Sequence, residues 1–177
     1  MKKYIPRIIL IDTIIFILIF IIIFFILKAF NLMFREWVYI LSAILIILGL
    51  IVGIIQLILK LKKNVLKISL ILVFIIFLIL LSPIAYLAFA FGYQPEHVVY
   101  KDGEKYIAYV NGFLDTYVYY YDYKNLLVVG NKMKIKEYYG NGGFDPIKNR
   151  YGYEYKVLNT TYYDANGNII STDEYIN

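Results

Sequence analysis

Cysteine is absent from the 177 residues, which excludes disulfides, thiolate chemistry and Cys-ligated metals. Histidine occurs once, at His97, so no multi-histidine metal site can be built. Acidic residues are nearly missing from the first half. Residues 1–91 carry only Asp12 and Glu36 against nine Lys/Arg, a net charge of +7, whereas residues 92–177 carry eleven acids against nine Lys/Arg, a net charge of −2. The overall +5 thus comes from short segments beside apolar runs and not from a basic patch on a folded domain, so nucleic acid is not an expected partner. Catalytic signatures are lacking as well: there is no Ser-His-Asp arrangement to propose, no HExxH and no Gly-rich nucleotide fingerprint. No enzyme activity, cofactor or metal is expected.

What the chain has in abundance is apolar sequence: 61% of its residues are hydrophobic and the mean hydropathy is +0.65. Three runs stand out, at about 8–27, 38–59 and 68–91. A helix needs about 20 apolar residues to cross the hydrocarbon core, and all three qualify. The expected fold class is therefore three transmembrane helices in residues 1–91 followed by a small all-β domain in residues 92–177, arranged as an antiparallel sheet, sandwich or open barrel. The third run is longer than a straight crossing requires, and Pro83 marks where it is expected to bend or tilt. The first run exceeds the core of a signal peptide and lacks a small-residue cleavage site after it, so a retained anchor is expected.

Basic residues at the run ends set the orientation. Lys2, Lys3, Arg7, Lys60, Lys62, Lys63 and Lys67 fall on one side, whereas Lys28, Arg35, Lys101 and Lys105 fall on the other. This predicts a cytoplasmic N-terminus and a C-terminal domain outside the bacterial cytoplasmic membrane, with Trp37, Tyr39, Tyr86 and Tyr93 near the outer interface. Asp12 is the one ionisable residue inside a run. About 6 Å from the start of its helix, it is expected to reach the cytoplasmic interface and pair with Arg7, Lys60, Lys62 or Lys63. In the second run Ser42, Gly49, Gly53 and Gln56 fall along one helical stripe that includes a small-xxx-small pair. That stripe is expected to pack on the first or third helix, or on a second copy of the chain in a homo-oligomer.

Beyond Gly92 the period changes to two. Val98–Tyr100 and 106–110 flank Lys101-Asp102-Gly103-Glu104, a hairpin signal. Further strands are expected at 114–123, 126–129, 133–139 and 151–158, and a last hairpin joins 161–163 to 168–170 through Asp164-Ala165-Asn166-Gly167. The spacing Asp164-x-Asn166-x-Asn168 imitates a calcium loop but fails at Ile169 and Tyr175, so a turn is the better reading. Gly140 to Pro146 is read as a tight connection, since it lacks the Gly-Lys-Ser/Thr of a phosphate loop. Seventeen of the twenty tyrosines lie in this half. In the third strand Tyr117, Tyr119, Tyr121 and Tyr123 share one face, and Leu114, Thr116, Val118 and Tyr120 share the other, the core face. The row of four phenols is the candidate binding platform, with a half-buried sheet face as the plain alternative.

The stretch from Tyr119 to Pro146, YYYDYKNLLVVGNKMKIKEYYGNGGFDP, together with the later YYDANGNII, resembles the outer segment of small, functionally unassigned membrane proteins of Gram-positive bacteria. The resemblance implies no activity and no catalytic residue. The function expected is that of a non-catalytic envelope protein, embedded in the lipid bilayer, whose outer domain contacts an envelope protein, lipid or glycan. The alternatives are a self-immunity or protection factor acting through its helices, an envelope hydrolase using Asp115, Asp122 or Asp145, and a small transporter subunit.

Overall fold

In a computed structural model of the chain, residues 9–148 and 155–175 are described. Three α-helices come first: α1 (Ile9–Ala29), α2 (Glu36–Leu59) and α3 (Asn64–Gly92). Their 21, 24 and 29 residues correspond to about 31, 36 and 43 Å of helix, each enough to cross a 30 Å hydrocarbon core. Their side chains confirm the environment. None of α3 is buried within the protein, and Phe25, Ile79 and Leu80 are each more than 60% exposed. Apolar surface on that scale is stable only when lipid replaces water. Pro83 lies inside α3, and the helix runs through it. Proline cannot donate to the carbonyl four residues back, that of Ile79. The Ser82 hydroxyl donates to that same carbonyl at 2.9 Å and satisfies it.

The second compact unit is a seven-stranded antiparallel sheet. Its strands are β1 (Leu32–Phe34), β2 (Glu96–Lys101), β3 (Glu104–Asn111), β4 (Asp115–Tyr123), β5 (Val128–Asn141), β6 (Asn159–Tyr163) and β7 (Ile169–Glu174). Six of them follow one another as a meander, β2-β3-β4-β5-β6-β7, and β1 pairs with the start of β5. The sheet stays open and does not close into a barrel. The β2–β3 hairpin turns at Asp102 and Gly103, both with positive φ, which matches the twist of the flanking strands. The β6–β7 turn is tied by Asp164, whose Oδ1 accepts the Asn166 and Asn168 amides at 2.7 and 2.8 Å. Those hydrogen bonds, that of the Asn168 side chain foremost, hold the Asp164 carboxyl below the usual carboxylate range.

Three expectations need correction. The strands expected at 126–129 and 133–139 are one strand that begins at Val128, because Gly130, Asn131 and Lys132 continue the ladder as bulges and do not break it. Three steps along β4, from Tyr120 to Tyr123, are matched by six along β5, from Ile135 back to Val129. The strand expected at 151–158 is absent over 155–158, where Leu158 makes single backbone bonds to Tyr138 and Tyr175; positions 151–154 lie outside the described residues. Leu114 is not core. It is 77% exposed and precedes β4, in a loop where its carbonyl accepts the Gly142 amide. Of the connection expected at Gly140 to Pro146, Gly140 and Asn141 lie in β5 and β6 begins only at Asn159; the chain passes close at Gly142, where a Cβ would meet the Leu114 carbonyl oxygen at 2.6 Å.

The segment between the first two helices holds a strand that periodicity did not reveal. Residues Ile26–Glu36 belong to the compact unit of the sheet, together with everything after Gly92. Leu32, Met33 and Phe34 pair with Gly130, Val129 and Val128. Two helices, α2 and α3, separate this strand from the rest of the sheet. An even number of crossings returns the chain to the side it left, so the pairing is compatible with both helices spanning the bilayer.

Candidate functional site

The two faces of the sheet differ in chemistry. One carries the larger core: Tyr106, Ala108, Val110, Val118, Tyr120 and Ile135 are buried together, and Val99, Tyr139, Ile147 and Tyr162 pack against them. Into this core the sheet sets one carboxylate. Glu137 is 4% exposed; it pairs with Lys101 and accepts the hydroxyls of Tyr120 and, at 2.9 Å, Tyr139. Burial first, and the Glu137 charge second, push both phenols well above the ordinary tyrosine value. His97 meets Asp145 at the same time: its Nε2 lies 2.7 Å from Asp145 Oδ2, while Asp145 Oδ1 accepts the Ile147 and Lys148 amides. Glu137 and the His97–Asp145 pair escaped sequence reasoning because their partners are distant in the chain.

The opposite face is the tyrosine face, and it divides in two. Tyr121 and Tyr123 pack with Met33 against a second, smaller core of Ile107, Tyr109 and Val129. Burial raises the Tyr121 phenol, as expected of a ring used for packing. Tyr117 and Tyr119 do not join that cluster. Instead, strand register places them in a grid. One cross-strand row runs Tyr117–Tyr138–Asn159, and the adjacent row runs Tyr119–Lys136–Thr161. Tyr117 stacks on Tyr138 at 4.9 Å between ring centroids and on Tyr119 at 6.1 Å. Lys136 Nζ stands 4.5 Å from the Tyr117 ring centre and 6.0 Å from that of Tyr119, within cation–π range. Five of these six residues line an open groove of about 270 Å³: Tyr117, Lys136, Tyr138, Asn159 and Thr161. Desolvation and the nearby Asp115 raise the Tyr138 phenol. Burial and the adjacent Tyr117 and Tyr163 raise that of Tyr119. Both stay neutral donors at physiological pH.

The groove offers two stacked phenol rings with their hydroxyls, one amide, one threonine hydroxyl and one cation. Its lining contains no carboxylate and no imidazole. The three carboxylates considered for hydrolysis are separate from one another: Asp145 pairs with His97, Asp122 lies by Lys124 and Lys134, and Asp115 lies by Tyr138 at the groove.

The other sequence candidates lie in the helices. Gly53 faces α1: a Cβ there would come within 2.9 Å of the Leu10 Cα, and one on Gly49 would meet the Thr13 side chain. Gln56 Oε1 accepts the Ile9 amide at 3.2 Å, and Ser42 is buried. The small-residue stripe is thus taken up by α1 of the same chain. Asp12 lies, half-buried, in the first turn described for α1. Arg7, one of its expected partners, lies outside the described residues.

Three helices long and apolar enough to cross a bilayer, joined to an open antiparallel sheet, define a membrane protein with a β domain. Compared with known proteins, the chain matches no family model, no curated protein and no solved structure.

Proposed function

We propose that this is a non-catalytic, multi-pass envelope protein of the bacterial cytoplasmic membrane, oriented N-in and C-out, whose sheet binds a glycan on the face of Tyr117 and Tyr138. The observation that carries the reading is the grid of Tyr117, Tyr138 and Asn159 beside Tyr119, Lys136 and Thr161. Aromatic rings left half-exposed on a rigid sheet present apolar area without side-chain disorder. The C–H faces of a sugar ring suit such rings, while Asn159, Thr161 and Lys136 supply hydrogen bonds for its hydroxyl and acidic substituents. The groove volume of about 270 Å³ lies below the roughly 300–1,000 Å³ of drug-sized sites, which favours one ring-sized group at a time along an extended polymer.

The test is binding of isolated envelope polysaccharide to the full chain in lipid nanodiscs. Tyr117→Ala and Tyr138→Ala are each expected to weaken binding by about 1 kcal/mol, roughly fivefold. Lys136→Gln is expected to weaken binding only to polymers with acidic substituents. Undiminished binding by both tyrosine variants, with the sheet still folded, would overturn the proposal.

A further inference from the structure

A second site lies where β5 bulges, and its residues are distinct from the tyrosine grid. Lys132 and Lys134, two residues apart on β5 and so on one face of the strand, line one pocket of about 220 Å³, which Phe30, Asn31, Asp122 and Lys124 also line. Asp122 Oδ2 lies 3.7 Å from Lys124 Nζ and 3.9 Å from Lys134 Nζ, near the limit of an ion pair. Three lysines around one carboxylate leave the pocket with a formal charge of +2. Its wall is held in place by the backbone: the Asn131 amide donates to the Asn31 carbonyl at 3.0 Å, and Asn31 takes a positive φ of 56° to turn into β1.

The pocket adjoins the last turn of α1. Phe30 directly follows Ala29, the last residue of α1, and its amide still bonds to Ile26 and Leu27 of the final helical turn. That turn belongs to the same compact unit as the pocket. The pocket is thus beside the end of a helix long enough to span, and lipid phosphates lie where such a helix leaves the hydrocarbon. Phe30, 72% exposed, adds an apolar rim suited to the glycerol and upper acyl region of a lipid.

We propose that this pocket holds the phosphate of an anionic membrane lipid. A soluble phosphate would use the lysines but not Phe30. The inference holds on either side of the bilayer, since both leaflets present phosphate, and it does not depend on glycan binding. The test is native mass spectrometry of the full chain in detergent, titrated with phosphatidylglycerol or with phosphatidylcholine. Preferential retention of phosphatidylglycerol is expected. Lys132→Gln/Lys134→Gln is expected to reduce that retention roughly tenfold. Lys132→Arg/Lys134→Arg is expected to restore it, which separates lost charge from lost fold. Lys60→Gln/Lys62→Gln, at the far end of α2, is expected to leave it unchanged. Equal retention of the two lipids, retention unaffected by the Gln pair, or displacement of the lipid by millimolar inorganic phosphate would each overturn the proposal.

Discussion

Arg35 and Glu96 are 61 residues apart in sequence, yet they form a nearly buried ion pair, with Arg35 Nε donating to Glu96 Oε1 at 2.6 Å. The other carboxylate oxygen accepts the backbone amide of Glu36, the first residue of α2, at 3.0 Å. A single side chain from β2 thus caps a helix start, where unpaired amides and the helix dipole favour a negative charge. It also fixes the segment that leads into β1. Arg35→Met leaves the Glu96 charge buried without its partner, and a loss of about 3 kcal/mol is expected. Arg35→Met/Glu96→Met is expected to be less destabilised than Arg35→Met alone. Amide hydrogen exchange over 32–34 and 128–130, which pair with each other, reports the difference directly.

Glu137 makes the sheet sensitive to alkali. Tyr120 and Tyr139 have phenols raised above the ordinary value of 10.0 by burial and by the Glu137 charge. In the unfolded chain both ionise near pH 10, whereas the folded sheet keeps them protonated. Above that pH the folded state binds more protons than the unfolded one, so stability falls as pH rises. Below pH 10 the two tyrosines contribute no slope. Unfolding midpoints of the sheet measured from pH 8 upward are expected to be flat and then to decline. Tyr120→Phe is expected to flatten part of that decline, at a cost of about 1.5–3 kcal/mol for the lost hydrogen bond to a charged group.

Gly53 determines how closely α1 and α2 approach. A Cβ placed 2.9 Å from Leu10 Cα cannot be accommodated without moving one helix. Gly53→Val is expected to destabilise the pair by about 1–3 kcal/mol. Thermal unfolding of the full chain in detergent reads the change. A lowered unfolding midpoint for Gly53→Val is the expected result, and an unchanged one would contradict it.

Much of this architecture was legible because its signals are local. Twenty-residue apolar runs placed the helices to within a few residues, and Asp102-Gly103 and Asn166-Gly167 marked their turns through positive-φ chemistry. Alternation in β4 correctly placed Thr116, Val118 and Tyr120 inside. What failed was whatever depended on distant partners. β1 is three residues long and reads as a loop until Val128–Gly130 pair with it. The bulges of β5 resemble a strand break because their Gly and Asn are turn formers in any other setting. The expected row of four phenols became two groups because Tyr121 and Tyr123, like Met33 from outside the domain expected at 92–177, pack against the core of Ile107, Tyr109 and Val129. Tyr138 and Lys136, which complete the groove, lie on a neighbouring strand and join Tyr117 only through register.

Which side of the membrane the sheet occupies decides whether Tyr117 and Tyr138 can meet an envelope polymer at all. A single cysteine introduced at Asn166, exposed in the β6–β7 turn, can be labelled with a membrane-impermeant thiol reagent in intact cells, with Lys62→Cys as the opposite-side control. Labelling of Asn166→Cys in intact cells, and of Lys62→Cys only after lysis, is the expected result. The reverse pattern would place the sheet in the cytoplasm and contradict the glycan-binding reading.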